Sequence, residues 1–171
     1  KLKTVAGVKS HTTILDYFSY FENAYLLSLV PKFAWSQKAQ SLAPKKVYFT
    51  DIGLIRTAGL TFSENAGHIL ENFVFNELRR KYGTFDDKQI YYYRDDTCEC
   101  DFVVNPLFAP QCIQVCLGLN LDNTGRELNG LLAAMDFFKV QEGLILTMDS
   151  YDQYVKEDKK ITIMPAWDYF G

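Results

Sequence analysis

The sequence runs to 171 residues, 48% of them hydrophobic and 23% charged, which is enough apolar material for one buried core and excludes global disorder. A formal net charge of −3 and a pI near 5.4 exclude a general electrostatic pull on a polyanion, so any nucleic-acid contact has to be local. The basic clusters on offer, Lys1-Leu2-Lys3, Lys45-Lys46 and Arg79-Arg80-Lys81, read first as solvated surface. No run approaches the roughly 18 apolar residues of a membrane-spanning helix and the start does not resemble a signal peptide, so a cytoplasmic location with no membrane partner is expected. The opening at Lys1, with no Met, fits an excised fragment.

Apolar residues recur at three- and four-residue intervals from Thr12 to about Ser28 (Ile14, Tyr17, Phe18, Phe21, Tyr25), predicting an amphipathic helix with Ser10, Thr12 or Thr13 as its N-cap. Val30-Pro31 ends that pattern, and the polar run from Ser36 to Pro44 reads as a loop. Lys45 to Thr50 has strand character, Asp51 to Leu54 reads as a turn or short helix, and Thr57 to Glu64 as a boundary. A second amphipathic helix is predicted from about Ala66 to Tyr82, burying Ile69, Leu70, Phe73, Val74 and Leu78, with Glu71 on the same turns.

Three short strands follow, centred on Ile90–Tyr93, Cys100–Val104 and Cys112–Cys116, with separations that suit a meander. A helix from Asn123-Thr124 to about Phe138 then leads into a strand at 143–147, parallel by virtue of the crossover, and a last strand covers 161–165.

The four cysteines, Cys98, Cys100, Cys112 and Cys116, are too few for a disulfide scaffold, and their C-x-C and C-x3-C spacings differ from the usual zinc pairs. Strict strand alternation sends the two pairs to opposite faces of the sheet.

A helix, an antiparallel meander, a crossover helix and a further strand follow the order of the restriction-endonuclease-like, or PD-(D/E)XK, α/β core. That core holds a hard cation with an acid from its first helix, an Asp on its second strand and an acid or Gln on its third, two residues before a Lys. The matching positions are Glu71, Asp101, Gln114 and Cys116. Residues two apart in a strand share a side, which is why an oxygen ligand and an ammonium at that spacing reach one phosphate. Glu71, Asp101 and Gln114 are thus the candidate ligands for Mg2+ or Mn2+. Cys116 stands where the Lys would be and cannot supply its charge; losing one such contributor costs about 10²–10³ in rate. Lys46 and Arg126 are candidate substitutes that the sequence does not place. Each residue also has a plainer role: Glu71 as a solvated margin, Asp101 as a turn or cap, Gln114 as an outward strand residue, and Cys116 as a small core hydrophobe.

The run Pro44–Leu54, the helix Gly67–Leu78, Tyr92-Tyr93-Arg94, Glu99–Val104, Ile113–Cys116, Thr124–Glu127 and the closing Met164–Trp167 together resemble the uncharacterised domain at the C-terminus of many bacterial and archaeal AAA-type ATPases. The resemblance implies a mixed sheet flanked by helices at 61–171, behind a helical, partly winged-helix-like connecting segment at 1–60. It further implies that an upstream ATPase module is the chain's partner. No G-x-x-x-x-G-K-[S/T] occurs, so ATP as a cofactor belongs to residues outside this chain. Some members of that family carry acid-x-Lys on the third strand and others Gln-x-Cys, and this chain has the second form.

The expectation that follows is a non-catalytic binding or regulatory domain with a degenerate nuclease site, docking nucleic acid or protein. The alternatives are a Mg2+- or Mn2+-dependent nuclease with a relocated cation, and a homo-oligomerisation module built on the aromatic helix Thr12–Ser28.

Overall fold

The computed structural model describes residue 7 and residues 10–57, 62–83 and 89–171. Lys1-Leu2-Lys3 and part of the boundary read at Thr57–Glu64 lie outside the described residues. Helix α1, His11–Asn23, starts at Ser10, whose hydroxyl accepts the Thr12 N–H at 3.2 Å. It stops short of the predicted end, because Tyr25 turns left-handed (φ 56°) and the Leu26 N–H closes on the Phe21 carbonyl. The apolar residues that continue its stripe form strand β1, Leu27–Val30, instead. The polar run read as a loop contains helix α2, Gln37–Leu42, with the Gln40 amide donating to the Ala34 carbonyl at 2.7 Å. Strand β2, Lys46–Phe49, pairs antiparallel with β1, and helix α3, Ile52–Thr57, follows it. Among the described residues up to Thr57, the helices thus flank a two-stranded sheet, of which β2 is the strand expected at Lys45–Thr50 and β1 is not expected.

Helix α4, Phe62–Tyr82, leads to strands β3 (Ile90–Arg94), β4 (Glu99–Val104) and β5 (Gln111–Val115). Helix α5, Thr124–Phe138, crosses over to β6, Glu142–Thr147. Strand β7, Asp152–Lys156, turns through Glu157 and Asp158, both at positive φ, into β8, Lys159–Pro165, and helix α6, Ala166–Phe170, closes the fold. Strand β7, like α6, has no counterpart in the predicted elements.

These strands form one six-stranded mixed sheet in the order β3-β4-β5-β6-β8-β7. The β3/β4/β5 meander is antiparallel, the α5 crossover makes β5 and β6 parallel, β8 is parallel to β6, and β7 is antiparallel to β8. One face packs under α4 through Leu70, Val74, Phe75 and Leu78 against Phe102, Val104, Ile113 and Leu146, with Tyr48 and Val30 of the hairpin in the same cluster. The other packs under α5 through Leu131 and Met135 against Val103, Cys112, Ile145 and Ile161. The molecule is thus a mixed α/β protein with helices on both faces of the sheet. Among the described residues no helix is long and apolar enough to cross a membrane.

Strict alternation fails at one place in β4. Tyr91 pairs with Val103 and Tyr93 with Cys100, so Asp101 and Phe102 both stand opposite Tyr92. This bulge overturns the expected separation of the cysteines: Cys100, Cys112 and Cys116 lie in the same α5-side cluster. All four cysteines are free thiols.

Candidate functional site: a lysine among three carboxylates

Alternation along β2 buries Tyr48, exposes Val47 and puts Lys46 on the same side as Tyr48, facing α4 and the sheet. Helix α4 holds this strand through the residue next to Glu71. The Asn72 side chain is buried, accepts the Phe49 N–H at 2.7 Å and donates to the Phe49 carbonyl at 2.7 Å. The sequence pattern does not mark this buried amide as part of the site. Its one signal in the sequence is an Asn inside an otherwise apolar helical stripe.

With β2 anchored, the Lys46 ammonium lies 3.0 Å from Glu71 Oε1, 2.9 Å from Glu99 Oε1 and 2.8 Å from Asp101 Oδ1. The Tyr48 hydroxyl donates to the same Glu71 oxygen at 2.6 Å, and the Lys46 Nζ stands 5.6 Å from the centre of the Tyr92 ring. Three elements distant in sequence converge here, and one of the two named substitutes for the missing cation is the group at their centre. Glu99 is not among the sequence candidates; its one signal is a position two residues before Asp101 on the same strand.

Burial works against a charged Lys46, yet Asp101 and Glu71 more than offset it and hold the ammonium well above the ordinary lysine range. Burial pushes Asp101 up to about 6, with Lys46 opposing the rise and Glu71 adding to it. Burial, followed by the charge of Glu71, likewise keeps the Tyr48 phenol protonated far above its usual range.

The bulge places Asp101 on the α4 side and leaves Gln114 on the other. Beyond the Phe102–Ile113 pair, side chains take over the ladder between β4 and β5. The Val115 N–H donates to Asp101 Oδ2 at 2.9 Å, and the Asp101 N–H donates to Gln114 Oε1 at 3.2 Å. The Gln114 amide nitrogen donates to Glu127 Oε2 at 2.6 Å, and Arg126 closes on Glu127 Oε1 at 2.5 Å. Arg126, the second named substitute, is therefore engaged on the α5 side. Both groups of residues line one open cavity of about 980 Å3.

Of the candidate ligands, the fold brings Glu71 and Asp101 together around an ammonium and gives both polar atoms of Gln114 other partners. Cys116 is buried in the α5-side core, its thiol pushed up to about 12 by burial and by Glu127, as suits a core residue rather than a nucleophile. Among the described residues no group of three or more His, Cys, Asp or Glu is arranged to hold a metal ion. The donor set in this arrangement fits neither zinc nor the octahedron at about 2.1 Å that magnesium demands.

Fold and site together define an α/β domain with an open, acidic cavity in which three carboxylates meet an internal cation. The chain belongs to the family described as "Domain of unknown function (DUF4143)", matched over residues 66–169. It is also 33% identical over 168 residues to "Uncharacterized protein MJ1544" of Methanocaldococcus jannaschii, covering 94% of this chain and 36% of that protein. The chain thus spans about a third of the length of that archaeal relative. No solved structure matches it.

Proposed function

We propose that this chain is a non-catalytic binding or regulatory domain, the C-terminal part of a larger AAA-type ATPase, with a restriction-endonuclease-like sheet whose nuclease site is degenerate. The observation that carries the proposal is Lys46 Nζ within 3.0 Å of three carboxylates, where a nuclease of this order would hold its divalent ion. Support comes also from Cys116 in the core and from Gln114, whose amide bonds Glu127 and the Asp101 backbone instead of facing the acids. The meander, the crossover and the parallel β5–β6 pair are the topology that such a core requires. The archaeal relative extends well beyond the matched region, which leaves room for the ATPase module, where ATP would bind. Residues 1–60 are the connecting, partly winged-helix-like piece and 61–171 the sheet domain. The cytoplasm is the compartment, and the partners are the ATPase module, a nucleic acid or protein docked on the sheet domain, and a further copy of the chain.

A second reading has one specific observation in its favour. The ammonium 2.8 Å from Asp101 is a relocated catalytic cation in the nuclease alternative, with Mg2+ or Mn2+ beside it. Labelled single- and double-stranded DNA and RNA incubated with the protein in Mn2+ separate the two, with Asp101→Ala and Lys46→Ala as controls. No cleavage by the wild type is the expected result. Cleavage that disappears in both variants would establish the nuclease.

A further inference from the structure

The two edges of the six-stranded sheet are finished differently. Beside β3 runs the segment 31–33: the Tyr92 N–H donates to the Pro31 carbonyl at 3.1 Å, and the Phe33 N–H to the Tyr92 carbonyl at 2.8 Å. At the other edge β7 pairs with β8 alone, and among the described residues no segment covers its outer side. An open strand edge is a template for another strand. We infer that β7 is a self-pairing edge: two copies of the chain join antiparallel through Asp152–Lys156, about a two-fold axis at Tyr154, into one continuous sheet. This gives the further copy of the chain a definite surface, and it holds whether or not the acidic cavity is inert.

The charges on β7 are what select a second copy as the occupant. The strand reads Asp-Gln-Tyr-Val-Lys, so a two-fold axis at Tyr154 sets Asp152 against Lys156 of the second copy, Lys156 against its Asp152, and Gln153 against its Val155. Both ends of the strand then meet an opposite charge. A shift of two residues in either direction loses both ion pairs, and in-register parallel pairing brings like charges together. Neither charge is committed elsewhere: among the described residues Lys156 has no ion-pair partner, and Asp152 is held within its own strand by the Gln153 N–H at 2.8 Å and by the Tyr154 hydroxyl. Tyr154 packs against the α5-side core, and Asp152 and Lys156 share its face, so the two Tyr154 rings would stand between the two ion pairs and shield them in part from solvent. On the opposite face Val155 is 74% exposed, and pairing takes it partly out of water. An edge that carried Lys156 alone would repel a copy of itself; Asp152 at the matching distance from the axis turns that repulsion into complementarity.

The test is sedimentation equilibrium over a concentration series, with melting curves to show that each variant is folded. The wild type is expected to dimerise. Asp152→Lys and Lys156→Asp each set like charges opposite one another and are expected to weaken the dimer about ten-fold at low salt, while the two substitutions combined in one chain restore both ion pairs and the wild-type affinity. Cross-linking checks the register. In a Cys98→Ser background under mild oxidation, Tyr154→Cys is expected to form an intermolecular disulfide faster than Val155→Cys, because only position 154 meets itself across the axis, whereas exposure alone favours Val155. A monomer at every concentration overturns the inference, as does a dimer indifferent to the single charge changes or not restored by the pair, which would move the interface elsewhere, such as to the exposed aromatic residues of α1. Faster cross-linking through Val155→Cys overturns it too. None of these readouts involves cleavage, so a nuclease result against the proposed function leaves this outcome separately legible.

Discussion

Asp101 does two jobs with one side chain. Oδ1 meets the Lys46 ammonium, and Oδ2 takes the Val115 N–H that the diverging strands would otherwise orphan. Burial keeps its carboxyl near 6, above the ordinary value of 3.8. Between those two values the folded protein holds a proton that the unfolded chain has lost. The stability linked to this group is therefore fully present below about pH 4 and is lost as the pH rises through 6. Lys46 has the same sign at the other end of the scale, its contribution being lost only in alkali beyond the ordinary lysine range. Urea unfolding of wild type and Asp101→Asn at pH 7.5 and 4.5 checks this. The wild type should gain on the order of 2 kcal/mol relative to the variant on acidification. Parallel curves would mean that Asp101 titrates as an ordinary surface acid.

The contact between α5 and β4 turns on one glycine. A Cβ on Gly130 would lie 2.1 Å from the Glu99 carbonyl oxygen, a backbone atom that cannot rotate away, and 3.7 Å from Gln114 Oε1. Gly130→Ala must push the helix off the strand that carries Glu99 and Asp101, with an expected loss of about 2–3 kcal/mol in urea unfolding. Gly125→Ala on the same helix meets nothing within 4 Å and should be neutral or slightly stabilising. Comparable losses in both variants would show that the close approach to Glu99 is not the cause, since helix propensity alone predicts a gain from Ala at either position. The elements that the sequence hides are explained by the same local chemistry. Strands β4, β5 and β6 are legible because each is a short apolar run bounded by turn residues. Strand β1 is not, since Leu29, four residues after Tyr25, extends the three- and four-residue spacing of α1. Strand β7 is a mostly exposed edge with no buried face to give it a period of two. The site is legible to the same extent: Glu71 and Asp101 stand out as acids in the right elements. Strict alternation cannot anticipate the bulge that parts Asp101 from Gln114, and sequence separations of 25 and 55 residues hide the meeting of Lys46 with Glu71 and Asp101.

Across the whole molecule, stability should fall from the middle of the sheet outward. Strand β6 is hydrogen-bonded on both sides and carries the fully buried Ile145 and Leu146, while Ile161 and Ile163 of β8 close the same core. Helix α1 is at the opposite extreme. It packs mainly on β1 and leaves Leu15 67% and Tyr20 64% exposed, and Tyr25 just beyond it is 72% exposed. A helix of 13 residues is marginal without tertiary support, so α1 in this chain opens at little cost. The β1–β2 hairpin lies between these limits, since Tyr48 and Val30 join the α4-side core while Lys46 and Asn72 provide its polar attachment. Native-state hydrogen exchange in low denaturant should therefore release α1 amides first, the hairpin next by a sub-global opening, and β5, β6 and β8 only with global unfolding. Lys46→Gln should lower the hairpin's opening energy and leave that of β6 unchanged. If the hairpin and β6 instead share one opening energy in both proteins, the acid cluster opens only when the whole fold does, and the hairpin cannot act as a separate moving part.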